Sequence, residues 1–164
     1  MFNIYRATEK DIPAIVRMAE ETWWPSYRNI ISDDQIRYML GAIYGPETLR
    51  QHMIDNTQIF VIVQDENGPQ GFASYGQRTE DPAVFKLHKL YVLPHNQGKG
   101  FGKALIADIK NRLLESGSHI LDLNVNRFNP ALKFYQKLGF RILREEDIPI
   151  GPFWMNDYVL RVEF

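Results

Sequence analysis

The run from Val84 to Leu105, VFKLHKLYVLPHNQGKGFGKAL, limits the choice of folds more than any other part of the chain. Leu87, Leu90 and Val92, with their β-forming neighbours, predict a buried strand, and Pro94 closes it because proline cannot donate to a ladder. Gly98, Gly100 and Gly102 then alternate where strand gives way to an amphipathic helix. Lacking Cβ atoms, these residues let backbone N–H groups approach a ligand closely. The first helical turn adds N–H donors without helical partners and the positive end of the helix dipole. Lys99 and Lys103 bring further positive charge, so the pattern predicts an anion site.

The spacing excludes two common nucleotide loops. A phosphate-binding P-loop needs glycine where Gln97 stands and a hydroxyl where Ala104 stands. A dinucleotide fingerprint needs its third glycine one residue later than Gly102. What fits is Q/R-x-x-G-x-G/A, spelled Gln97-Gly98-Lys99-Gly100-Phe101-Gly102 after a strand of the form L-x-V-x-P. Further along, Asn129-x-Ala131-x-x-Phe134-Tyr135 with Gly139-Phe140 forms a second pattern. Ala131, Phe134, Tyr135 and Leu138 share a helix face and could be plain core, but a tyrosine hydroxyl in a core has to be satisfied. The two patterns together resemble the GNAT superfamily of N-acetyltransferases, and the R-A-T-x-x-D-I opening from Arg6 is similar to the N-terminus of many members.

Composition sets the outer bounds. The 164 residues suit one domain, taken as 1–164, and 45% hydrophobic with 24% charged residues is ordinary for a soluble globular protein. A net charge of -1 offers no general attraction to nucleic acid or to an anionic membrane. With no cysteine there is no disulfide, thiolate metal site or cysteine nucleophile. The opening residues show no basic segment followed by an apolar run, and no apolar run approaches a membrane span, so a cytoplasmic protein is expected.

Periodicity predicts a strand over Phe2–Arg6, an N-cap at Thr8 answered by Asp11, and a helix carrying Ile12, Ile15, Val16 and Ala19 on one face. A second helix starts at the Ser32/Gln35 capping box and runs to about Tyr44, and a third covers Pro46–Asp55. Ile59–Val63 and Gly71–Gln77 form a hairpin across Asp65-Glu66-Asn67-Gly68. After the glycine turn come a helix to about Gly117, a strand over Ile120–Val125 and a helix ending at Leu138. Phe140–Leu143 and Tyr158–Phe164 are the expected closing strands, joined by an irregular connection. The fold class is α/β of the α+β type. The resemblance specifies the acyl-CoA N-acyltransferase fold, a mixed and mostly antiparallel sheet with helices on both faces.

The resemblance also implies a chemistry: direct transfer of an acetyl group from acetyl-CoA to an amine, with no metal. It places Leu90, Tyr91 and Val92 against the pantetheine arm and Gln97, Gly98, Lys99, Gly100, Phe101, Gly102 and Lys103 around the diphosphate. Asn129 contacts the arm, the Val92 N–H faces the acyl oxygen, and Tyr135 is the acid for the departing thiolate. His88, with an ordinary imidazole pKa, is the candidate base, with Glu80 or Asp81 acting through water as alternatives. Trp24, Tyr27, Glu80 and Trp154 are the candidate acceptor residues, although the aromatic cluster could equally be packing. A small-molecule amine is the expected acceptor, loosely as in bacterial polyamine acetyltransferases, for which Asp33, Asp34, Glu80 and Asp81 supply carboxylates. A protein N-terminus or lysine is the alternative acceptor, and a CoA-binding sensor without turnover the alternative class. Nucleic acid and membrane are not expected partners; a homodimer is an open possibility.

Overall fold

The computed structural model describes Met1–Phe164. Its elements run β1 (Asn3–Arg6), α1 (Ile12–Tyr27), α2 (Asp33–Tyr44), α3 (Pro46–Asp55), β2 (Ile59–Asp65), β3 (Gly68–Gln77), β4 (Val84–Val92), α4 (Phe101–Glu115), β5 (Ile120–Asn126), α5 (Ala131–Lys137), β6 (Arg141–Ile150) and β7 (Phe153–Glu163). The strands make one seven-stranded sheet in the order β1-β2-β3-β4-β5-β7-β6. Only the β4–β5 pair is parallel, as expected of the strands beside the glycine turn. No helix is long and apolar enough to cross a membrane.

The apolar run at β2 is continuous because both faces of the sheet are covered. Phe60 and Ile62 pack with Ile15, Met18, Trp23, Ile36, Tyr44 and Leu49 beneath α1–α3. Val61 and Val63 turn the other way, into a cluster with Leu105, Ile106, Ile109 and Leu113 of α4 and Tyr135 of α5. Each of these clusters contains 17 buried residues, so the sheet is clamped evenly between two helical layers. The Thr8/Asp11 capping box forms as the sequence predicts, with the Thr8 N–H donating to Asp11 Oδ2 at 2.9 Å. At α2 the Ser32 hydroxyl accepts from the Gln35 N–H at 3.1 Å.

One expectation needs correction. Glu145–Asp147 and Phe153–Trp154 are not an irregular connection but parts of the long β6–β7 hairpin, which turns at Gly151-Pro152. β6 is an edge strand with no fully buried residue, rich in charge at Arg141, Arg144, Glu145, Glu146 and Asp147, and edge pairing tolerates Pro149. The tip folds onto α2, where Gln35 Nε2 donates to the Trp154 carbonyl at 2.8 Å and Tyr38 packs 5.7 Å from Phe153. Gly151 takes φ +57°, and a Cβ there would lie 2.1 Å from the Tyr38 hydroxyl.

Below the site, the floor is pinned by a buried carboxylate. Asp122, 1% exposed on β5, accepts from Arg161 Nε at 2.7 Å and Nη2 at 3.0 Å, and from Arg78 Nε at 3.0 Å. It ties β5 to β7 and to the loop after β3. Asp122→Ala would strand two guanidinium groups and should cost about 3–5 kcal/mol in urea unfolding; a loss under about 1 kcal/mol, the scale of a surface pair, would mean that these arginines contribute no more than exposed ones do.

Candidate active site

The site is created by strands that part. β4 and β5 pair from Val84–Ile120 to Leu87–Leu123 and no further. At the same level β4 carries a bulge: Lys89 is opposite Ser74 and Leu87 opposite Tyr75, so His88 has no partner of its own on β3. An extra residue bends its strand, and here β4 leaves β5 from His88 onward. A cavity of about 730 Å³ fills the gap. Its walls include His88–Val92 of β4, Leu123–Val125 of β5, Asn129 and Tyr135 near and on α5, Tyr27 at the end of α1, and the glycine turn.

The ladder also fixes which amides the gap exposes. The Leu93 N–H donates to the Gln70 carbonyl of β3. Alternation along an antiparallel ladder then points Tyr91 toward β3, and Leu90 and Val92 away from it, into the space β5 has vacated. At the mouth, Gly98 and Gly100 both adopt φ +86°, and Gly100 precedes α4 without a side-chain cap. The N–H groups of Gly98, Gly100, Phe101, Gly102 and Lys103 find no acceptor within the chain. Left-handed residues leading into an uncapped helix make a concave anion cradle. Gln97 Nε2 reaches back to the Val92 carbonyl at 3.4 Å, and Lys99 Nζ donates to Asn96 Oδ1 at 2.9 Å. Phe101, the first residue of α4, is buried, and both it and Lys103 border the cavity. A Cβ on Gly102 would sit 3.3 Å from the Phe134 ring, so this glycine permits the close approach of α4 to α5.

Tyr135 is buried, held edge-on by Phe134 at 5.2 Å and Phe140 at 5.7 Å. Burial, then the nearby Tyr27, raises its pKa, so the phenol keeps its proton at neutral pH. Tyr27 and Tyr91 share a hydrogen bond of 3.2 Å and are both likewise raised by burial. Asn129 Oδ1 accepts from the Ala131 N–H at 2.9 Å, opening α5.

His88 departs from the sequence expectation. Its ring is exposed on the cleft side, and protein crowds the rest. That crowding, then the charges of Lys86, Lys89, His52 and Arg78, lowers its pKa to about 3. Water on the open side softens the drop, but the direction decides the chemistry: the ring is neutral at pH 7 and a weak proton acceptor. Its neighbour Lys89 was absent from the sequence reading. Lys89 is 4% exposed, and its ammonium donates to Gln58 Oε1 at 2.6 Å while lying 5.3 Å from the Phe60 ring and 5.6 Å from the Tyr44 ring. Ser74 Oγ donates to the same Gln58 oxygen at 2.8 Å. With no carboxylate beside it, Lys89 is pushed down to about 7 by burial and by Lys86.

Of the four acceptor candidates, the structure brings only Tyr27 into the cavity. Trp24 lies under the Arg37 guanidinium, 5.5 Å from its ring centroid. Trp154 is 58% exposed on the β6–β7 hairpin. Glu80 is an exposed loop residue paired with Arg78 at 3.3 Å, and its pKa is lowered by hydrogen bonds to its own backbone and to Thr79, with Arg78 adding to the effect. Asp33 and Asp34 occupy the exposed first turn of α2, and Asp81 caps a turn through the Ala83 N–H. The sequence reading also missed Asn124 of β5, which lines the cavity, and Asp157 of β7, to which it donates. No group of His, Asp or Glu is arranged to hold a metal ion.

A sheet forced open between two parallel strands, with an anion cradle at the mouth of the gap, defines the class of acyl-CoA N-acyltransferases. Comparison with known proteins agrees. Residues 28–149 match the acetyltransferase (GNAT) domain. The Bacillus subtilis N-acetyltransferase YuaI, itself uncharacterised, is 27% identical over 154 residues, covering 92% of this chain and 87% of that protein. The L-amino acid N-acyltransferase MnaT of Escherichia coli is 36% identical over 84 residues, about half of either chain. Among solved structures, the PaiA N-acetyltransferase of Thermoplasma acidophilum in complex with coenzyme A superposes with a TM-score of 0.86 at 22% identity, over 100% of this chain and 99% of that one. The chain belongs to the GNAT acetyltransferase family. It is an N-acetyltransferase that draws on acetyl-CoA.

The buried lysine gives a stability signature. Unfolded, Lys89 keeps a value near 10.5 and holds a proton that the folded chain releases above about 7. Between those values the unfolded state binds more protons, so stability rises with pH across the window and the penalty is complete below it. Lys89→Met should therefore stabilise the protein most near pH 7 and progressively less as pH climbs, read by urea unfolding at each pH. A gain independent of pH would show that Lys89 does not titrate in this window.

Proposed function

We propose that the chain acetylates a small cationic amine, such as a polyamine, by direct attack on acetyl-CoA bound in the gap between β4 and β5. The observation that carries this reading is the coincidence, in one cavity, of partnerless amides at Gly98 and Gly100–Lys103, the gap-facing Val92 amide and the buried phenol of Tyr135. Acetyl-CoA supplies the activated acyl group. The amides of Gly98 and Gly100–Lys103 hold its diphosphate, with the Lys99 and Lys103 side chains adding charge. Leu90, Tyr91 and Asn129 hold the arm in extended form, and the Val92 N–H stabilises the negative charge that gathers on the acyl oxygen, a contribution of about 3 kcal/mol for one such donor. Tyr135 hands its proton to the departing thiolate. His88 accepts a hydrogen bond from the amine without retaining a proton, so proton removal falls to water in the open cleft.

A second reading has a basis in the comparisons. MnaT is named for acylating L-amino acids, which places amino acids beside polyamines as acceptors to test.

Thiol release from acetyl-CoA across an amine panel tests the reading. Tyr135→Phe should lower kcat by about 10²–10⁴, the usual worth of a positioned acid, with acetyl-CoA affinity nearly unchanged. Normal turnover with lost affinity would make Tyr135 a binding residue instead. His88→Ala should leave the shape of the pH–rate profile between about pH 5 and 8 unaltered, because a neutral ring does not titrate there. Loss of a limb in that range would restore His88 as the base.

A further inference from the structure

Behind Asn124, which lines the cleft, sits a carboxylate without an ion-pair partner. Asp157 on β7 is 6% exposed, and its carboxylate makes one hydrogen bond, from Asn124 Nδ2 to Oδ2 at 3.3 Å. Its other oxygen, Oδ1, is buried and has no partner. The arginines nearby are paired with other groups, and the one free buried guanidinium nitrogen, Arg78 Nη2, makes no bond to Asp157. Arg78 and Arg161 are held by Asp122, while Arg127 pairs with Asp147 at 2.8 Å and spends its Nε on the Asp157 backbone carbonyl. An uncompensated buried carboxylate costs several kcal/mol, which makes it a poor structural device. Its surroundings tie it to the cavity. Asn124 and Tyr27 both line that space, Asn124 donates to the carboxylate, and Asp157 lies close enough to Tyr27 for its charge to raise the phenol's pKa. Tyr27 in turn bonds to Tyr91 of β4 at 3.2 Å.

We infer that Asp157 is the carboxylate that draws the acceptor's ammonium group into the cleft, acting from behind Asn124, whose amide it orients. This assignment rests on the cleft being the acetyl-transfer site and adds what selects the acceptor: a positive nitrogen. The groups around the carboxylate are Lys86 of β4, Glu146 of β6, Arg127 beyond β5 and Tyr27 of α1. Burial raises the Asp157 pKa while Lys86 and Arg127 oppose the shift. None of these cations comes within ion-pair distance of the side chain. A bound ammonium would supply the missing positive charge and arrive at the same time as the substrate. Acceptor discrimination thus lies on a strand from the far half of the sheet, away from the coenzyme cradle.

The test compares 1,4-diaminobutane, which is cationic near neutral pH, with methoxyamine, which is not. Acetylation of each is followed in the wild type and in Asp157→Asn, which keeps the size and the contact with Asn124 but removes the charge. For the diamine, KM should rise about tenfold or more, as when one member of a buried charge pair is removed. The methoxyamine rate and the acetyl-CoA KM should each stay within about twofold of wild type. The melting temperature should hold or increase, since an unpaired buried charge has been deleted. Equal losses for both amines, no change for either, or a melting temperature lowered by several degrees would each overturn the assignment. Turnover of methoxyamine by the wild type keeps the outcome separate from the reading of the cleft: without that turnover, and without turnover of the diamine, the catalytic assignment fails and not only Asp157.

Discussion

Everything chemical in this molecule depends on the failure of one ladder to continue. Paired strands satisfy each other's backbone, so a gap in the middle of a sheet leaves costly unpartnered groups. Here β4 bulges at His88 and departs from β5 after Leu87, which leaves the Leu90 and Val92 amides without a strand to bind. The sheet survives because both halves are braced from outside. The β1–β4 half is clamped between α1–α3 and α4, and the β5–β7 half is fastened by Asp122 and its arginines. A rigid frame around unsatisfied donors is the condition for electrostatic preorganisation: the groups are already aimed, and a ligand supplies what the fold withheld.

The cleft is also divided by charge. On the β4 side His88, Lys86 and Lys89 crowd together, and each is driven toward its neutral form by burial and by its neighbours. On the β7 side Asp157 is buried with an oxygen to spare. Ser74, Gln58 and Lys89 form a buried set of hydrogen-bonded side chains, with the Lys89 ammonium over the rings of Phe60 and Tyr44. Such networks are sensitive to the loss of any single member, because low polarity magnifies both a satisfied bond and a missing one.

Much of this was legible in the order of residues. The glycine turn, the strand before it and the Asn129–Tyr135 segment announced themselves, since their constraints are local: positive φ, missing Cβ atoms and a proline stop. The capping box at Thr8 and the apolar faces of α1 and α4 were readable for the same reason. What could not be read depends on partners distant in sequence. His88 looks like an ordinary imidazole until Lys86, Lys89, His52 and Arg78 are placed around it. Glu80 looks available until Arg78 takes it. Asp157 was out of view because the last strand was expected to start at Tyr158. Alternation of Met155, Asp157 and Val159, all buried, was the signal that could have extended it.

The hairpin of β6 and β7 has a meaning for how the protein is made. Its tip rests on α2, where Gln35 meets the carbonyl of Trp154 across a separation of 119 residues. Contacts between segments so remote must wait for a large loop to close, and they form late. The glycine turn and α4 rest on β2–β4, nearer in sequence, and need no contact with the hairpin tip to form. Because β5 is held on its far side by β7, the wall opposite β4 becomes firm only when the hairpin has docked, and the opening between the two halves is the last feature of the sheet to take its shape.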